Sequence, residues 1–399
     1  MRSTLYILGI ITFITLQSCQ QTQEQNSTEL NDGFYTLELD LGEEKLKVPL
    51  QNTKDSIVIY NASERIALPK RTSQDSLFAA FNVFDTGLEL KITSDSTATG
   101  IWNKYYKDNY TLAAQLYPSS NTTNSRAYLD TVKYEVTFSP NTPDSYPAIG
   151  LFSISDNRIT GSFATETGDY RFLAGEINDN AFHLNTFDGS HAFVFTGKIK
   201  GDSIQEGMFY SGNHWKEPFI GIENDSYQLT NPDSITSSKQ PVQFSFLAED
   251  SSLFRFNDYT YKDTAVIIQI LGSWCPNCLD ETYFLSELQS IYAKQPLAII
   301  GIAFESKTDY AYYANQIQKL KSTTKANYPI LLGGKASKQV ASDTLVFLDE
   351  IKSFPTTIFL DKKHKIQRIH TGFYGPGTGS YYDKFREETL LLLDKVLAN

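Results

Sequence analysis

The chain has 399 residues, 41% hydrophobic and 20% charged, which is the make-up of a folded protein of two or three domains at about 150 residues each. That excludes wholesale disorder, a collagen-like fibre and a multi-span membrane protein. Its 35 basic and 46 acidic side chains leave a net charge of −11, which argues against broad electrostatic attachment to nucleic acid or anionic lipid. Three cysteines are too few for a disulfide scaffold, so their positions carry the functional reading.

Arg2 is the only charge among the first nineteen residues, and the apolar run Leu5–Leu16 leads to Ser18 and Cys19. Such a run is too short to cross a bilayer core of roughly 30 Å as a helix. Residues 1–18 therefore read as an export signal. Leu16-Gln17-Ser18-Cys19 resembles the bacterial lipobox. That resemblance implies cleavage before Cys19, lipidation of its thiol and attachment to a membrane without a spanning helix. The expected location is the bacterial cell envelope, lipid-anchored and facing the periplasm. Residues 19–33, polar for most of their length, are expected to form a tether.

Residues 34–222 are expected to form a β-rich domain. Leu46, Val48 and Leu50 alternate with other side chains, and Tyr134–Phe138, Ala148–Ile154 and Ala192–Phe195 are short apolar runs. Turn signals such as Asn178-Asp179-Asn180 and Gly201-Asp202 separate them. This pattern predicts antiparallel hairpins in a barrel or sandwich. The repeated hairpins between Ile159 and Gly212 and the Gly100-Ile101-Trp102 strand resemble lipocalin-type barrels. Such a barrel either holds a ligand or is filled by its own side chains.

Residues 223–240, rich in Asn, Ser, Asp and Thr, read as a linker. From Pro241 the pattern changes to strands alternating with helices. Val266–Leu271 and Leu297–Phe304 are nearly continuous apolar runs, as strands covered on both faces require. Tyr381–Leu397 carries a helical apolar stripe. The predicted fold class is multidomain α+β: an antiparallel β barrel or sandwich, then an α/β domain over 241–399.

The strand Val266–Leu271 runs into Gly272-Ser273-Trp274-Cys275-Pro276-Asn277-Cys278 and then an amphipathic helix. Cys275 is expected at the helix N-terminus, where free N–H groups and the helix dipole favour a thiolate. Pro276 suits the first turn because the donor it lacks is unused there. Cys278, one turn further in, is placed to attack a mixed disulfide formed on Cys275. Half a zinc site is the competing reading of the pair; it needs two more ligands, and His364 and His370 lack the spacing. No metal is expected, and no cofactor beyond the redox-active Cys275–Cys278 disulfide.

Phe354-Pro355-Thr356-Thr357 is the second mark. Together with the Trp274 to Glu281 run and His370 to Gly379, it resembles the TlpA/ResA-like branch of the thioredoxin superfamily, over about 160 residues. The resemblance implies a thioredoxin-like domain, with a cis proline at Pro355 facing the dithiol and Trp274, Phe354 and Pro355 along the path of a substrate segment. It further implies a thiol–disulfide oxidoreductase of the envelope. Its substrates would be exported proteins with disulfides or apocytochromes, and a membrane thiol carrier would supply the electrons. Members carry a glutamate after the next strand, which here points to Glu305 as a proton shuttle for Cys278. Asp280 and Glu281, in the first helical turn, read as structural. Two other functions stay open at this point: a thiol peroxidase, and a ligand- or partner-binding lipoprotein with an accessory redox domain.

Gly375-Pro376-Gly377-Thr378-Gly379 lacks the Lys-Ser/Thr ending of a phosphate loop and reads as a turn near the active-site end.

Overall fold

The structure, a computed structural model, describes residues 29–119, 131–239, 241–257 and 259–398. The export signal and Cys19 lie outside the described residues. The fold is multidomain α+β, with β structure first and a thioredoxin-like domain last. Among the described residues no helix is long and apolar enough to cross a membrane.

The β-rich half contains two barrels. In the first, eight antiparallel strands run from Gly33–Asp40 to Thr111–Pro118, each paired with its sequence neighbour, and the ring closes where Leu37 faces Leu116. Alternation explains the strands. In Lys45–Asn52, for example, Leu46, Val48 and Leu50 are buried while Lys45 and Lys47 point out. Gly100 is required by close approach, since a Cβ there would lie 1.9 Å from the Glu89 carbonyl oxygen.

The second barrel runs from Val132–Phe138 to Trp215–Glu223 and closes where Phe138 faces Phe219. The hairpin Tyr146–Ser155 with Arg158–Thr165 completes the ring. Phe138, Phe152, Phe163, Phe195, Phe209 and Phe219 fill its interior. A cleft of about 1190 Å³ lies instead outside, between the two barrels and the loop Pro376–Ser380.

The thioredoxin-like domain has a seven-stranded mixed sheet. Its interior strand Ala265–Leu271 pairs parallel with Leu297–Glu305 and antiparallel with Thr356–Leu360. All seven residues of Ala265–Leu271 are buried, because α1 (Pro276–Ile291), α2 (Tyr310–Thr324), α3 (Lys338–Thr344) and α4 (Ser380–Ala398) accompany the sheet. The linker is strapped to this domain rather than free. Asp233 binds Arg368 at 2.8 Å and His370 at 2.6 Å, and Ser237 binds Asp349.

Both barrels reach the α/β domain. Gln316 of α2 donates to the Val83 carbonyl of the first barrel at 3.0 Å. One apolar cluster runs from that barrel into the α/β core. The second barrel touches the mouth of α1, where the two described cysteines sit.

Candidate active site

Gly272 ends the buried strand and lets the chain turn sharply, for a Cβ there would meet the Trp274 indole nitrogen at 2.3 Å. That nitrogen donates to the Phe304 carbonyl at 2.8 Å. Cys275 then takes an extended conformation and serves as the N-cap of α1, with Pro276 as the first helical residue. The Cys278 N–H donates to Cys275 Sγ at 3.3 Å. An otherwise unpaired helix amide is thereby spent on the sulfur, as a serine or aspartate would accept it elsewhere.

Phe354-Pro355 is a cis peptide bond, and Cys275 Sγ lies 3.6 Å from the Phe354 carbonyl oxygen. The Trp274 and Phe354 rings meet edge-on at 5.7 Å. The structure thus brings together Trp274, Cys275, Cys278, Phe354 and Pro355. Both cysteines are free thiols. Cys275 keeps 7% of its surface and Cys278 only 1%. Burial pushes the Cys278 thiol well above its usual range, with the Cys275 sulfur and the Glu281 carboxylate acting in the same direction.

Two acids lie buried beside this pair. Glu305, at the end of its strand, accepts from the Ser273 N–H at 2.9 Å and the Ser273 hydroxyl at 2.7 Å. Burial raises its pKa and the Ser273 bonds oppose the rise. Glu281 accepts from Gln269 Nε2 at 2.9 Å and from the Thr357 hydroxyl at 2.8 Å. Burial pushes its pKa up to about 7, against those hydrogen bonds. Sequence reasoning took Glu281 as structural and missed its closeness to the dithiol. The signals were its position three residues after Cys278 on the same helix and a lone glutamine, Gln269, in an otherwise apolar strand.

Asp280 is partly buried. It binds Arg171 of the second barrel at 2.6 Å, and burial still raises its pKa to about 7. The same guanidinium binds Glu64 of the first barrel and lies 3.4 Å from Asp188. Although burial opposes it, His191 and Arg171 hold the Asp188 carboxyl down at about 2. Arg171 was not singled out from sequence, and no local motif marks it. Among the described residues no group of three His, Cys, Asp or Glu side chains is arranged to hold a metal ion.

Residues 238–369 match the AhpC/TSA family. The C-terminal domain is thioredoxin-like. The thioredoxin-like protein YneN of Bacillus subtilis is 30% identical over 111 residues, 28% of this chain and 58% of that protein. The thiol-disulfide oxidoreductase ResA of Geobacillus thermodenitrificans is 26% identical over 113 residues, 28% of this chain and 57% of that protein. The chain thus spans less than three fifths of the length of these curated relatives. Among solved structures, a thiol-disulfide oxidoreductase from Bacteroides fragilis aligns with 37% of this chain and 99% of its own, at 16% identity and a TM-score of 0.28. The AhpC/TSA match leaves both barrels outside it.

Proposed function

We propose that the protein is a thiol–disulfide oxidoreductase of the bacterial cell envelope, held on a membrane by lipid on Cys19 and reducing disulfides of exported proteins or apocytochromes. The observation that carries this reading is the placement of Cys275 Sγ between the Cys278 amide at 3.3 Å and the proline-loop carbonyl at 3.6 Å. The names of the relatives agree with it.

The exchange runs in two steps. The Cys275 thiolate attacks one sulfur of the client disulfide; that S–S bond breaks, a mixed disulfide forms and the client's other sulfur leaves as a thiolate. Cys278 then loses its proton and attacks Cys275 Sγ. The client's second sulfur leaves, and the Cys275–Cys278 disulfide holds the oxidation. Two electrons have passed to the client, and a membrane thiol carrier restores the dithiol. Trp274, Phe354 and Pro355 line the approach of the client segment.

A buried thiol with a raised pKa needs a base nearby. The expectation gave that role to Glu305. We assign it instead to Glu281, whose charge acts on the Cys278 thiol, and give Glu305 the task of fixing the Ser273–Trp274 turn through its two bonds to Ser273.

Insulin reduction with a dithiol donor tests the reading. Cys275→Ala is expected to abolish turnover, and Cys278→Ala to accumulate mixed disulfides visible on non-reducing gels. Full activity in Cys275→Ala would refute it.

A further inference from the structure

We propose that the second barrel caps the thiol face in cis, so that a protein client reaches Cys275 only after the barrel and the thioredoxin-like domain separate; this rests on the dithiol reading above. Four residues flanking Cys275 and the proline loop, Trp274, Pro276, Asn277 and Ser353, are already engaged by that barrel. The Ser190 hydroxyl donates to the Trp274 carbonyl at 3.0 Å. Arg171 Nη1 donates to the Pro276 carbonyl at 3.0 Å. Asn277, between the cysteines, donates to the Asp169 carbonyl at 3.2 Å, and Gly168 lies so close that a Cβ there would meet the Asn277 amide nitrogen at 2.4 Å. The Ser353 hydroxyl, beside the proline loop, donates to the Thr167 carbonyl at 2.6 Å. The segment Thr167–Arg171 therefore lies along the groove that runs from the dithiol to the proline loop.

Arg171 is the latch. Its guanidinium is 6% exposed and joins Glu64 of the first barrel, Asp188 of the second and Asp280 of α1. One cation thus ties three bodies at the mouth of the active-site helix. The contacts over the dithiol are hydrogen bonds and ion pairs, which water satisfies once the surfaces part, and a buried ion pair adds little net stability. The phenylalanine interior of the same barrel has no such substitute. Away from the dithiol, Ile149, Leu151 and Ala164 of the barrel also pack with Tyr374 and Tyr381, so the cap lifts as a unit at the expense of a small apolar contact, with its own core intact.

Two variants of the full chain test this. Arg171→Gln removes the latch charge. Gly377→Ala leaves every charge in place but drives a Cβ to 2.7 Å from the Arg171 backbone carbonyl, wedging the surfaces apart. Alkylation at Cys275, mapped by peptide mass spectrometry, is timed with iodoacetamide and with a polyethylene-glycol maleimide. In both variants the bulky reagent is expected to react about tenfold faster than in wild type, the effect of moving a closed–open equilibrium by about 1.4 kcal/mol. The small reagent should change less than about twofold, because it needs no more than local access.

Equal bulky-reagent rates in all three proteins would overturn the cap. So would a rise shared by both reagents in folded Gly377→Ala, which would mean that the site itself has loosened. Should Arg171→Gln fail to fold, Gly377→Ala decides alone. Failure of the oxidoreductase reading shows separately, as no turnover of a small aromatic disulfide in any variant while the alkylation contrast persists.

Discussion

Replacing Glu281 by Gln isolates the electrostatic cost of the acid under the dithiol. Burial raises the Glu281 pKa from 4.5 to about 7, and the residue is only 1% exposed, so solvent screening gives little relief. A carboxyl whose folded pKa is raised favours the folded state when protonated. Its contribution is fully present below pH 4.5 and is lost as pH climbs to about 7. At about 1.36 kcal/mol per pH unit, that loss is about 3 kcal/mol. Glutamine does not titrate, but its amide must face Gln269 Nε2 or the Thr357 hydroxyl, both donors to the present carboxylate. The protonated acid of wild type meets the same restriction, so that loss is common to both proteins at low pH. Glu281→Gln should therefore match wild type near pH 4.5 and be more stable by about 3 kcal/mol at pH 8. The curves separate between about pH 5 and 7. Urea titrations read by amide exchange in the Ala265–Leu271 strand, at a series of pH values, give both curves for this domain. Parallel curves would refute the burial argument. The stabilised variant should also resolve mixed disulfides more slowly, since Cys278 has lost its base.

Ser273→Ala removes the hydroxyl donor to Glu305 and should cost about 1–3 kcal/mol at pH 8. Fewer donors raise the Glu305 pKa further, so the cost should shrink as pH falls and the acid protonates, which the same titrations would register. Phe138→Ala empties the centre of the second barrel, where Phe138 meets the rings of Phe163 and Phe219 at 5.3 and 5.1 Å. A loss of about 3–5 kcal/mol is expected in chemical unfolding. Gly100→Ala drives a Cβ into the Glu89 carbonyl and should open the first barrel, seen as faster exchange in Thr86–Ser94. Cys19→Ala should shift the protein from the membrane fraction to the soluble one and abolish labelling by a radioactive fatty acid.

The dithiol, its helix and the proline loop were legible because each is written in consecutive residues. A strand, Trp-Cys-Pro-Asn-Cys and a helix need no distant partner to be recognised. Glu281 shows the limit of that approach. Its burial depends on Gln269 from one strand and Thr357 from another, seventy-six residues away in the second case. Local reasoning placed it in the first turn, where a carboxylate is usually solvated, but α1 starts at Pro276 and carries no acid in its first turn. Arg171 is further out of reach, 109 residues from Asp280. It lies in the short connection between Gly168–Asp169 and Leu173–Asn178, and only the docking of three bodies makes it a hub. In the β half, alternation and turn spacing gave the strand type. They did not divide it into two rings, because ring closure pairs the first and last strands of each meander.

The two sulfurs are set at different depths, and that difference orders the chemistry. Cys275 caps the helix, accepts an amide and borders the proline loop, so the proposed exchange gives it the first attack. Cys278 is sealed by α1 and shares its surroundings with Glu281, Gln269 and Thr282, whose hydroxyl donates to the Cys278 carbonyl at 2.7 Å. A client disulfide cannot reach it directly, and a mixed disulfide on Cys275 brings the bond to it. With its pKa raised, Cys278 stays a thiol until its proton has somewhere to go, which guards the resting dithiol against stray oxidation. In the exchange proposed above, the second step hinges on one proton at the buried sulfur, and Glu281, half-protonated near neutral pH, is the group we assign to take it.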